Sequence, residues 1–291
     1  MSFETKSTNK VCGGKLTKYS FASQSLGGLT TNINVFLPAD ASSSDGNEAS
    51  RVPVLYFLAG LTCTEDNAAQ KGGFFHAAAQ HNIALVFPDT SPRGAGAPAE
   101  DDAYDFGTGA GFYLDATADA YSQHYNMYSY IVRELPALLE QNKIPIDTKR
   151  ASITGHSMGG HGALTIYLKN HSAYKSCSAF SPICNPTNSP WGKKAFEGYL
   201  AHPASEAEQY DATLLLKHST DTDLHILIHS GTADDFYKQN QLLPEHLADV
   251  ANDKNITDFT LNLVDGYDHS YFFISTFAPQ HVEFHAKFLN A

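Results

Sequence analysis

Cysteine is scarce in this chain, with four residues in 291, at positions 12, 63, 177 and 184. Four are too few for a disulfide framework at this length, so free thiols are expected. No apolar run approaches the ~18 residues a membrane span needs, which removes the bilayer as a partner. The N-terminal Met1-Ser2-Phe3-Glu4-Thr5-Lys6 lacks the apolar centre of a signal peptide, and with the thiols it predicts a cytoplasmic protein. The Asn255-Ile256-Thr257 sequon is then a coincidence of composition. Cations are also short, 19 Lys and Arg against 31 Asp and Glu, for a net charge of −12. A surface of that sign disfavours nucleic acid and anionic membranes. Internal repeats and low-complexity tracts are absent. A hydrophobic share of 42% with 17% charged residues describes a chain that folds around a core, and its length suits one α/β domain spanning 1–291.

The rest of the chain is organised around Ala151-Ser152-Ile153-Thr154-Gly155-His156-Ser157-Met158-Gly159-Gly160. A short apolar run ends at Gly155, and helical spacing resumes at Ala163, Leu164 and Leu168. Between them lies G-x-S-x-G, the pattern of a nucleophilic serine on a sharp strand-to-helix turn. Bulk two positions either side of that turn would clash, and glycine removes the Cβ responsible. The N–H groups opening the next helix face any negative charge that develops beside Ser157.

Eight segments read as strands: 15–23, 31–38, 52–59, 83–88, 151–154, 176–180, 224–229 and 259–264. The first two alternate and form a half-exposed antiparallel pair joined by the Gly27-Gly28 turn, with Asn32, Asn34 and Phe36 on one face. The other six are near-continuous apolar runs, expected to be parallel and buried. Helical patterns lie at about 128–139, kinked by Pro136, and at 158–170, 236–252 and 270–289. Residues 39–51 read as a polar surface loop. The sum is an α/β-hydrolase fold: a single domain whose mostly parallel eight-stranded sheet is flanked by helices.

In that arrangement the chemistry-bearing residues occupy loops at the carboxyl edge, in the order Ser, then Asp or Glu, then His. After the 224–229 strand come Asp234 and Asp235, and after 259–264 comes His269. A base at His269 and an orienting carboxylate at Asp234 or Asp235 follow from position. The oxyanion donors are expected at the backbone N–H of Met158 and, on the loop Gly60-Leu61-Thr62-Cys63-Thr64, of Leu61. His281 and His285, four apart on a helix, lack the glutamate that a zincin pattern requires. Gly107-Thr108-Gly109-Ala110-Gly111 lacks the spacing of a dinucleotide loop. Neither metal nor cofactor is expected.

Several longer motifs resemble S-formylglutathione hydrolase, the esterase D family. They are Leu58-Ala59-Gly60-Leu61-Thr62-Cys63-Thr64, Pro88-Asp89-Thr90-Ser91-Pro92-Arg93-Gly94, and the stretch Asp105-Phe106-Gly107-Thr108-Gly109-Ala110-Gly111-Phe112-Tyr113. Gly155-His156-Ser157-Met158-Gly159-Gly160-His161-Gly162, Pro182-Ile183-Cys184-Asn185-Pro186, Pro190-Trp191-Gly192-Lys193-Lys194-Ala195-Phe196 and Gly266-Tyr267-Asp268-His269-Ser270-Tyr271 complete the likeness, which runs from about residue 12 to the C-terminus. The resemblance implies a triad of Ser157, Asp234 and His269, since the family's loop reads Gly-x-x-Asp-x-Phe. It further implies hydrolysis of a glutathione thioester, S-formylglutathione, to formate and glutathione through a formyl-enzyme, and a homodimer. A broad carboxylesterase or acyltransferase using the same triad is the alternative. Trp191 is expected to wall the substrate pocket, and Lys193 and Lys194 to attract glutathione carboxylates. A bulky adduct on Cys63 should obstruct the oxyanion loop.

Overall fold

The computed structural model describes residues 2–41 and 51–291. The polar loop read at 39–51 falls largely outside them. The described residues build one nine-stranded sheet, with β1 (Glu4–Val11), β2 (Gly14–Ala22), β3 (Thr30–Leu37), β4 (Val52–Leu58), β5 (Ala84–Pro88), β6 (Ile146–His156), β7 (Tyr174–Phe180), β8 (His225–Gly231) and β9 (Asp258–Val264). Their spatial order is β1-β2-β3-β5-β4-β6-β7-β8-β9. The six strands from β4 to β9 run parallel, and β1 to β3 extend the sheet antiparallel on the β5 side. β4 and β5 are buried throughout, as their unbroken apolar runs require.

The sheet thus has nine strands where eight were expected. The missing one, β1, reads Glu-Thr-Lys-Ser-Thr-Asn-Lys-Val and is exposed along almost its whole length. It is an edge strand held by backbone pairing to β2, so it carries no apolar alternation to read. Cys12 and Gly13, both with positive φ (48° and 79°), form the two-residue turn between them.

β3 departs from expectation as well, since both of its faces are covered. Asn34 is buried and donates to the Glu65 carbonyl (2.9 Å) and to Asp66 Oδ1 (2.8 Å) of the helix Glu65–Lys71. Phe36 on the same face is fully buried against Phe75. Two further helices differ in detail. The 128–139 segment is helical, but Tyr130–Glu134 widens into a π-helical turn in which Leu135 N–H reaches the Tyr130 carbonyl. That turn sits immediately before Pro136, which has no N–H to offer. The 236–252 segment is two helices, Asp235–Lys238 and Pro244–Asp253, separated at Leu243 in the left-handed region.

The parallel half of the core contains a polar seam. Ser178 Oγ donates to Thr154 Oγ1 (2.8 Å) and also meets His281 Nδ1 (2.8 Å) and His285 Nε2 (2.8 Å). A hydroxyl has one proton, so both histidines must be donors there. His281 Nε2 is then an acceptor for His229 Nδ1–H (2.9 Å), and His229 Nε2 for the Asn262 amide (3.2 Å). On the other side His285 Nδ1 accepts from Ser176 Oγ (2.7 Å), which accepts in turn from Ser152 Oγ (2.8 Å). One orientation satisfies every member, and it leaves all three imidazoles neutral. The seam ties β6, β7, β8 and β9 to the helix Tyr271–Leu289.

Candidate active site

Ser157 is the single residue between β6 and the helix Met158–Lys169. Its φ of 57° and ψ of −117° lie outside the regions favoured by residues with a Cβ, a strain that surrounding contacts must hold. Those contacts are backbone ones: Ser157 N–H donates to the Phe180 carbonyl (2.9 Å), and the Ser157 carbonyl accepts from Ile183 N–H (3.3 Å). The flanking glycines are required by packing. A Cβ at Gly155 would lie 2.2 Å from the Gly159 carbonyl oxygen, and one at Gly159 would lie 2.0 Å from that of Leu58.

The loops after β8 and β9 bring two further residues to the same carboxyl edge. Ala233 N–H donates to the Tyr267 carbonyl (2.9 Å), so the two loops are pinned together. Asp234 is fully buried and divides its carboxylate between two tasks. Its Oδ1 accepts from Phe236 N–H (2.8 Å) and Tyr237 N–H (3.3 Å), capping a short helix, while Oδ2 lies 2.5 Å from His269 Nδ1. Asp235, the other carboxylate left open by position, is exposed and faces Lys238 at 3.6 Å.

Ser157 and His269 line one pocket of ≈ 260 Å³ with Gly60, Leu61, Cys63 and the rings of Tyr104, Trp191 and Phe236. The backbone N–H groups of Leu61 and Met158 donate to no acceptor among the described residues. Gly60 allows the first of these loops to come close, since a Cβ there would be 3.2 Å from Ser157 Cβ. Trp191 belongs to the buried core and also forms a wall. Its ring packs on Phe236 at 4.5 Å, Phe236 stands edge-on to His269 at 4.8 Å, and the indole N–H donates to Tyr104 Oη (3.2 Å). Cys63 lies 3.9 Å from Tyr271 Oη, and burial raises its thiol pKa.

Other expected residues fall elsewhere. Lys194 is ion-paired with Asp105, and Lys193 borders a separate cleft beside Glu197 and Glu208, so neither lines the pocket. His161 Nε2–H donates to the Phe112 carbonyl (2.9 Å), and burial lowers its pKa to about 4. His156 packs against His269 with ring centroids 4.4 Å apart and the rings tilted at 45°. Burial first, and then the neighbouring His269, holds its pKa well below the usual histidine value. Gly107 and Gly109 have positive φ, and the Gly109 carbonyl accepts from Thr62 N–H (2.9 Å), so that loop braces the Leu61 segment. Sequence reasoning missed Tyr104 and Phe236 as pocket walls. Phe236 could have been found from its place two residues after the capping Asp234.

A strained serine at a strand-to-helix turn, a histidine that shares its pocket and is bonded to a buried aspartate, and backbone N–H groups at Leu61 and Met158 without an acceptor among the described residues define a serine hydrolase of the α/β-hydrolase fold. The Esterase family model matches residues 23–284. S-formylglutathione hydrolase of Bos taurus is 47% identical over 291 residues, covering 100% of both chains, and that of Arabidopsis thaliana is 48% identical over 283, covering 97% of this chain and 96% of the plant one. The solved structure of an S-formylglutathione hydrolase from Agrobacterium tumefaciens superposes with a TM-score of 0.89 at 41% identity, covering 98% and 99% of the two chains. The chain belongs to the S-formylglutathione hydrolase family.

Proposed function

We propose that this protein hydrolyses S-formylglutathione to formate and glutathione, with Ser157 as nucleophile, His269 as general base and acid, and Asp234 as the orienting carboxylate. The observation that carries the roles is the Asp234–His269 bond beside a pocket lined by His269, Ser157 and Leu61, with the Leu61 and Met158 N–H groups unused. His269 Nε2 takes the Ser157 proton as Oγ attacks the formyl carbonyl. Asp234 fixes the Nδ1–H tautomer and stabilises the imidazolium. The oxyanion of the tetrahedral intermediate is held by Leu61 and Met158 N–H, each donor contributing about 3 kcal/mol to the barrier. Collapse expels the glutathione sulfur, a better leaving group than an alkoxide because a thiol ionises near pH ~8.5. Water activated by His269 then releases formate.

Trp191 and Phe236 confine the acyl group, which suits formyl better than a longer chain. The reading includes a single domain over 1–291, a cytoplasmic setting and a homodimer. The test is kcat/KM for S-formylglutathione against a simple acetyl ester, on the wild type and Ser157→Ala. A strong thioester preference lost in the variant supports the proposal. Comparable turnover of the ester would reduce it to a broad carboxylesterase, and activity surviving in Ser157→Ala would remove Ser157 from the chemistry.

A further inference from the structure

The loop carrying Leu61 is short, lies in no regular element, and must hold a backbone N–H to a fraction of an ångström. Upstream it is fixed by Gly60 against the serine turn. Downstream, Thr64 begins the helix Glu65–Lys71 with a reciprocal cap to Asn67. Between them Thr62 takes a positive φ of 66°, a conformation that needs an external hold. That hold converges on one atom. The Cys63 carbonyl oxygen accepts from Thr90 Oγ1 (2.5 Å) and from Arg93 Nη2 (3.1 Å). Arg93 is itself gripped two-fold by the buried Asp89, Nε to Oδ2 at 2.7 Å and Nη2 to Oδ1 at 2.8 Å. Asp89 Oδ1 also accepts from Thr90 N–H at 2.7 Å, so both donors to the Cys63 carbonyl are set by one carboxylate. The same segment reaches the second brace of the loop, since Gly109 N–H donates to Ser91 Oγ (2.7 Å).

We infer that Arg93, oriented by Asp89, is a positioning residue for the oxyanion site. Its guanidinium holds the Cys63 carbonyl, and through it the direction of the Leu61 N–H two residues earlier. The inference rests on the role proposed above for Leu61. A planar fork is needed, because one nitrogen group must serve the carboxylate and the carbonyl together, which a lysine ammonium on a flexible stem does not reproduce. The Arg93 side chain does not line the pocket, so it acts through the loop and not on the substrate.

The experiment compares wild type, Arg93→Ala and Arg93→Lys on S-formylglutathione and on p-nitrophenyl acetate, with thermal melts of each. Misplacing a catalytic donor by about 1 Å can cost on the order of 100-fold, so kcat should fall roughly 10- to 100-fold on both substrates with KM within about threefold. Millimolar guanidinium should restore part of the Arg93→Ala kcat where equal sodium chloride does not. Should Arg93→Ala fail to fold, Arg93→Lys carries the test and must also lose kcat. An unchanged kcat in a folded variant overturns the inference. So does a loss confined to KM for the glutathione thioester, which would place Arg93 on the substrate. The wild-type ratio of the two substrates tests the proposed substrate separately, and the variant-to-wild-type ratio tests Arg93.

Discussion

Lowering the pH from 7.5 to 5.5 should strip this fold of much of its stability, because five histidines are buried in neutral form. Burial holds the pKa of His229 at about 4, of His161 at about 4 and of His285 at about 3, and it holds His156 and His281 well below the usual value. Each folded pKa lies under the unfolded value of ~6.5. The stabilisation is therefore complete above pH 6.5 and is lost as the pH falls below it toward the folded pKa, because only the unfolded chain takes up the proton in that window. At pH 5.5 each of His161, His229 and His285 contributes about 1.4 kcal/mol to unfolding, and the three together about 4 kcal/mol, with His156 and His281 acting in the same direction, against a typical total of ~5–15 kcal/mol. The seam explains why the protein cannot absorb the proton. With Ser178 donating to Thr154, an added proton on His281 Nε2 would meet His229 Nδ1–H, and one on His285 Nδ1 would meet the Ser176 hydroxyl proton. Carboxylates with lowered pKa, among them Asp147 and Asp268, titrate below this window and do not offset it. Urea unfolding between pH 7.5 and 5.5 measures the effect: the midpoint should fall steeply below pH 6.5 with little change in slope against urea. A loss under about 2 kcal/mol across that interval would refute the assignment of these histidines as neutral and unable to protonate in place.

Asp234→Asn should keep the helix cap to Phe236 and Tyr237 yet lower kcat by about 10⁴, since the amide favours the wrong His269 tautomer; near-normal kcat would show that another group orients the base. Ser178→Ala leaves the His281 and His285 donors and Thr154 without their shared partner, at about 1–3 kcal/mol for each unsatisfied group, and calorimetry should register a lowered Tm while kcat at neutral pH stays near wild type. N-ethylmaleimide should inactivate slowly at neutral pH, because burial keeps the Cys63 thiol protonated, and Cys63→Ser should be resistant; equal inactivation of both proteins would move the effect to another thiol.

The features legible in the sequence are those where a local physical demand leaves a local mark. The serine turn is written in Gly155 and Gly159 because a Cβ at either meets backbone within about the same turn or the adjoining strand end. The acid and base loops were placed because each follows an apolar run read as a parallel strand, whose carboxyl end fixes the edge; the run at 259–264 was also expected to be buried, but β9 is the edge strand of the parallel half and is only partly covered. Choosing between Asp234 and Asp235 from the residues alone was not possible, since the decision rests on where the chain leaves β8 relative to His269, 35 residues away. β1 left no mark because hydrogen bonding to a neighbour demands nothing of its side chains. Asn34 misled for the opposite reason: a polar residue on an alternating strand reads as exposed, yet here Glu65 and Asp66 satisfy its amide in the interior. The histidine seam and the Arg93 clamp share that character. His281 and His285 sit four apart like ligands of a metal, and only the serines of β7, more than a hundred residues earlier, show that their nitrogens are already engaged. Polar groups in the core thus draw their meaning from distant partners, whereas apolar periodicity and steric exclusion act over a few residues. That asymmetry is why the groups proposed to react left marks in the sequence while the groups that hold them in place did not.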